Sequence, residues 1–106
     1  MPGRNRFATK DIQGAFSELT EQWKADQKPT SSMLDRAMHP AYLRIIGLGV
    51  AAVPLILHEL QLKADPWFWA LEAITGENPI PESDYGHVAK MVEAWVHWGH
   101  THGYLS

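Results

Sequence analysis

The chain contains no cysteine. That excludes a disulfide framework, a catalytic thiol and a thiolate zinc site, and it fits a reducing compartment. Long apolar runs are missing as well. The longest, Leu48 to Leu57, is interrupted by Pro54 and falls well short of the roughly 20 residues a membrane-crossing helix needs. Arg4 and Arg6 near the N-terminus have no apolar segment behind them, so a secretory signal is not expected. Nor is there an excess of cations. Nine Lys and Arg stand against twelve Asp and Glu, a net charge of −3 with histidines neutral, which argues against a generic polyanion binder. Strict alternation of apolar and polar residues is almost absent, so no strands are expected.

What remains is a sequence of 106 residues, 45% hydrophobic, 20% charged and 10% aromatic. That composition folds, and that length holds one hydrophobic core. Residues 1–8 read as a flexible arm and residues 9–106 as a single helical domain. The expected compartment is the cytoplasm.

Helical periodicity and its punctuation define five to six short helices. Ile12, Phe16, Leu19 and Trp23 step by four, three and four along a first helix from Lys10 to Asp26, with Thr9 as N-cap. Ser32 and Asp35 form a capping-box pattern that opens a second helix. Pro40 suits the first position of a third, with Gly47 and Gly49 as its stop. Val50 to Leu62 reads as the fourth, and Asp65-Pro66 as cap and first residue of a fifth that ends at Gly76. Asn78 to Pro81 is a connector, and Ser83 or Asp84 caps a last helix striped by Val88, Met91, Val92, Trp95 and Trp98. The predicted fold is all-α, with helices packed as αα-hairpins.

Gly49-Val50-Ala51-Ala52-Val53-Pro54 with the aliphatic run after it, then Trp67 to Gly76, resembles one HEAT-type helical repeat. Arrays of such repeats are binding scaffolds, so the resemblance implies a partly HEAT-like fold and an interaction role. Trp23, Ser31-Ser32, His39-Pro40-Ala41-Tyr42, Ile45-Ile46-Gly47, Pro54 to Leu60, Trp67 to Leu71, Ile74-Thr75-Gly76 and Ala94-Trp95 also resemble a family of small uncharacterised bacterial all-helical proteins. That likeness implies a bacterial or mobile-element origin and assigns no catalytic residue.

Trp67-Phe68-Trp69 is the most informative triplet. Successive helical residues are about 100° apart, so Trp67 and Trp69 point to nearly opposite sides. One of them enters the core and the other packs on a neighbour or faces outward. Tryptophan is enriched at binding hot spots. Trp69, Trp67 and Tyr42, with the polar Glu72 beside them, are therefore the candidate partner-binding residues. Trp95 and Trp98 share one face and read as core.

Other constellations are weaker. Gly47-x-Gly49-x-x-Ala52 fits a dinucleotide fingerprint in form, but a helix precedes it where a strand is required. His97 and His100 are three apart on one helix face and are the weak candidates for metal ligands. His58-Glu59 lacks the second histidine of a zinc-protease motif, since position 62 is Leu. No serine sits in a Gly-x-Ser-x-Gly elbow. Residues 1–44 hold seven bases and five acids, whereas residues 45–106 hold two bases and seven acids.

These observations favour a non-enzymatic interaction module without a cofactor. It would be an accessory subunit of a larger bacterial protein, or of a mobile-element or defence system. The alternative is a nucleic-acid-binding accessory protein that uses Arg4, Arg6, Lys10, Arg36 and Arg44. Self-association is a further expectation for a short unit without repeat caps.

Overall fold

The computed structural model describes residues 9–28 and 32–106. The arm expected over residues 1–8 lies outside them. Six α-helices, two short 3-10 turns and no strands occur among the described residues.

Helix α1, Thr9–Ala25, begins one residue earlier than its periodicity suggests, so Thr9 is helical. Ile12, Phe16 and Trp23 of its stripe are buried and Leu19 is half-buried. Trp23 Nε1–H donates to the Arg36 carbonyl at 2.8 Å, which pins α1 to α2, Met33–Ala37. The capping box is formed. Ser32 Oγ accepts from the Asp35 amide at 3.0 Å, and an Asp35 carboxylate oxygen accepts from the Ser32 amide at 3.2 Å. Two donors without intrahelical partners are thereby satisfied.

His39 caps helix α3, Pro40–Gly47. Its Nδ1 accepts from the Ala41 amide at 3.0 Å, and its Nε2 lies 2.9 Å from an Asp26 carboxylate oxygen. The accepting Nδ1 leaves the proton of the neutral ring on Nε2, aimed at Asp26. One imidazole thus ties the end of α1 to the start of α3.

Gly47 stays helical, and Gly49, at φ 76°, makes the left-handed turn that α3 needs in order to stop. The 3-10 turn Gly49–Ala52 leads into α4, Val53–Leu62, and places Pro54 in its first turn, where a missing N–H costs nothing. The chain bends by 110° between Pro40–Gly47 and Gly49–Leu62. No single helix among the described residues is long and apolar enough to cross a membrane.

Helix α5 is Phe68–Thr75, closed by Gly76 at φ 72°. Its start departs from expectation. Asp65 does not cap it; the Asp65 carbonyl accepts from the Trp67 amide at 2.7 Å. The Asp65 carboxylate is buried, 4.0 Å from Nζ of both Lys24 and Lys63. The last helix, α6, Val88–Thr101, is preceded by His87 rather than by Ser83 or Asp84. Those two residues belong to the 3-10 turn Glu82–Asp84, and the Asp84 carbonyl is taken by the His87 amide at 3.0 Å. The C-terminal tail docks on α6. Tyr104 and Leu105 amides both donate to the Gly99 carbonyl, at 2.8 and 3.1 Å, and the Tyr104 ring stacks on Trp98.

One core draws on all six helices. Its heaviest pairings are α1 with α3, α3 with α5 and α4 with α6. Most packing therefore joins helices two apart in the chain, and the consecutive pairs α2–α3 and α4–α5 touch more lightly. The consequence for α5 is direct. Its inner face is held by α3, and its outer face, at the edge of α6, is left uncovered.

Candidate functional site: an apolar groove beside Trp69

The site begins with an aromatic knot. Trp67 has no solvent exposure. Its ring centroid lies 4.7 Å from Trp23, 5.8 Å from Phe16 and 5.9 Å from Tyr42. Tyr42 is equally buried. Its hydroxyl donates to the Pro66 carbonyl at 2.7 Å and accepts from the Ala70 amide at 2.9 Å. The Ala70 amide lies in the first turn of α5 and has no intrahelical carbonyl to reach. A side chain on α3 thus caps α5 from the core, doing the work expected of Asp65.

This corrects the sequence reading at two positions. Trp67 and Tyr42 cannot touch a partner, because they fill the core. They fix where α5 starts and how it is rotated. The 100° step then carries Trp69 outward, where it is 44% exposed. Of the two tryptophans, one is core and one is presented, and Trp69 is the presented one. Trp95 and Trp98 are buried, as their spacing implies.

Trp69 lies on a groove of about 350 Å³ lined by Pro66, Phe68, Trp69, Gly86, Val88 and Met91. Its walls are almost wholly apolar. One wall is the first turn of α5, and the other is the start of α6 with the turn before it. Gly86 has φ 89°, a conformation that lets the chain reverse into α6 there. The connector is braced from behind, since Asn78 Nδ2–H donates to the Tyr85 hydroxyl at 2.7 Å and Trp98 Nε1–H donates to Glu77 at 3.1 Å. Glu72 is exposed one helical turn beyond Trp69 and gives the rim a negative charge.

Phe68, Val88 and Met91 were not legible as site residues. The stripe of α6 places Val88 and Met91 inward, but the helix overhangs the core by its first turn. Val88 ends 44% exposed and Met91 half-buried. The signal was the length of the stripe, which exceeds what a short α4 can cover.

The remaining candidates are dispersed. Arg4 and Arg6 lie outside the described residues, as does the side chain of Lys10. Arg36 is half-buried, and its Nε is buried without a hydrogen-bond partner. Arg44 is exposed in the last turn of α3. His97 and His100 are exposed on α6. Among the described residues no group of three or more His, Asp or Glu side chains is arranged to hold a metal ion. His97 instead lines a wider and more polar groove of about 440 Å³ with Asp84, Lys90, Glu93 and Trp98. Its charges are of both signs, so it selects no ligand charge.

The apolar groove contains no nucleophile or acid–base pair among its lining side chains. Its chemistry is the burial of apolar surface. Compared with protein-family models, with curated proteins and with solved structures, the chain matches none.

Proposed function

We propose that the protein is a non-enzymatic interaction module that docks an apolar segment of a protein partner in the groove beside Trp69. The observation that carries this reading is the exposure of Trp69 against an apolar wall, when the four other tryptophans are buried. Exposing an indole costs the protein contacts it makes use of everywhere else. Tryptophan is enriched at protein interfaces and among their hot-spot residues. The likeness of residues 49–76 to a HEAT-type repeat, a class of binding scaffolds, points the same way. We take the partner to be a larger bacterial protein to which this chain is an accessory, and the compartment to be the cytoplasm, which the lack of cysteine fits.

The test compares two tryptophans. Trp69→Ala removes a half-exposed ring and should cost less than about 1 kcal/mol of stability, while Trp67→Ala empties the core and should cost about 3–5 kcal/mol. Tagged wild type and Trp69→Ala are each used to capture partners from host lysate treated with nuclease. A stoichiometric protein retained by wild type and lost with folded Trp69→Ala is the expected outcome. A Trp69→Ala chain that fails to fold, or that keeps the same partner, removes the reading.

A further inference from the structure

A proton-dependent contact is built into the corner between α2 and α3. The His39 ring makes two hydrogen bonds, and each fixes the state of one nitrogen. Nδ1 lies 3.0 Å from the Ala41 amide nitrogen. A backbone N–H can only donate, so Nδ1 is bare. Nε2 lies 2.9 Å from an Asp26 carboxylate oxygen and carries the one proton of the neutral ring.

A charged ring cannot keep both contacts, because it has a hydrogen on each nitrogen. Nε2–H keeps Asp26 and becomes a charge-assisted donor. Nδ1–H meets the Ala41 N–H donor to donor, and that bond is lost. The Ala41 amide has no intrahelical carbonyl to turn to, since it belongs to the first turn of α3. Ala41 is also buried, so water replaces the ring only if the turn opens. His102 shows the contrast. Its Nδ1 lies 2.9 Å from the Trp98 carbonyl, a contact that a protonated ring keeps. No other histidine among the described residues accepts from a backbone amide.

The charged residues on the elements around this ring are Lys24 and Asp26 at the end of α1, Lys28 beyond it, Asp35 and Arg36 on α2, and Arg44 on α3. Lys24 pairs with Glu59 at 3.1 Å, and Asp35 is engaged in the capping box. Among the described residues Asp26 alone lies within ion-pair distance of the ring. The ring is 23% exposed, so it exchanges protons with solvent.

We propose that His39 is a proton-sensitive helix cap. When its ring gains a proton, the first turn of α3 is released while the tie to α1 holds. The range is that in which imidazoles change charge, about pH 5 to 8. The released turn carries Tyr42, whose hydroxyl holds the start of α5. The device therefore sits in the support of Trp69, and it does not depend on what docks there.

Nuclear magnetic resonance reads it directly. At about pH 8 the nitrogen shifts of the His39 ring should show a bare Nδ1 and a protonated Nε2. Protection of the Ala41 amide from hydrogen exchange, corrected for the intrinsic effect of pH on exchange, should fall about fivefold as His39 gains its proton, the fold-change of a lost helix cap. The fall should follow the His39 ring signals and not those of the other histidines. His39→Asn supplies a good cap that does not titrate in this range, so Ala41 should stay protected throughout. His39→Ser replaces it if that variant does not fold. Four results each overturn the assignment: a neutral ring with its proton on Nδ1, a His39 ring that stays neutral down to about pH 5, Ala41 protection that is unchanged while His39 gains its proton, or the same loss of protection in the His39→Asn chain.

Discussion

The Tyr42 hydroxyl sits without solvent exposure between the Pro66 carbonyl, 2.7 Å away, and the Ala70 amide, 2.9 Å away. Burial pushes its pKa well up, against a smaller downward pull from the Ala70 N–H. The fold therefore holds the phenol neutral, while an unfolded chain ionises it near pH 10. Stability from this group is complete below pH 10 and drains away above it, by up to about 1.4 kcal/mol for each pH unit. Urea unfolding at pH 9, 10 and 11 should show that decline, with a shallower slope in Tyr42→Phe. At neutral pH the same substitution leaves a buried carbonyl and amide unpaired and should cost about 1–3 kcal/mol. An equal slope in both proteins would show that Tyr42 is not the group responsible. The opposite fates of Trp67 and Trp69 were legible in the sequence, because two adjacent steps of 100° are a property of any helix. The burial of Tyr42 was not. Its partners lie 24 and 28 residues further on, and no local pattern records that the end of one helix is to be capped by the side of another.

Helix α6 meets α4 at Gly99. A Cβ placed there would lie 2.7 Å from Leu57 Cδ1 and 3.1 Å from Leu105 Cδ1. Leu57 is fully buried in the core and has nowhere to retreat. Gly99→Ala gains up to about 1 kcal/mol of helix propensity but overpacks the seam, at about 1–3 kcal/mol. The expected result is a lower Tm. Gly14, in α1, is exposed with nothing within 4 Å of its Cβ position, so Gly14→Ala should raise Tm through propensity alone. If both substitutions stabilise, α6 is free to move away from α4 and the seam is not close-packed. Helix boundaries were legible where the signal is local. The capping box at Ser32 and Asp35 and the left-handed Gly76 close within a few residues of themselves. Asp65, Ser83 and Asp84 look like caps for the same local reason. Asp65 is instead drawn between two lysines, one of them from α1, while Ser83 and Asp84 are used up in a 3-10 turn. Tertiary demand overrode local preference at each of these sites.

At the scale of the whole molecule the all-α class follows from periodicity, while the order of packing does not. Period and punctuation say that each helix has an inner face. They do not say that α5 turns its own toward α3 more than toward α4. That choice creates the groove, because it leaves the outer turn of α5 beside the overhanging start of α6. The core also joins two aromatic groups into one structure. Phe16, Trp23, Tyr42 and Trp67 cluster under α5, and Trp95, Trp98 and Tyr104 cluster under the tail. Ile56, Leu57 and Leu71 belong to the same continuous core. A chain with one core loses it at once. Near-ultraviolet circular dichroism, which reports the packed aromatics, and far-ultraviolet dichroism, which reports the helices, should therefore trace one denaturation curve. The measurement belongs at low protein concentration, because association between molecules would shift apparent stability by mass action. If the aromatic signal disappears at lower denaturant than the helical one, the two clusters unfold separately. Trp69 would then stand on an element that moves relative to α6, and the groove would be a fluctuating opening rather than a preformed site.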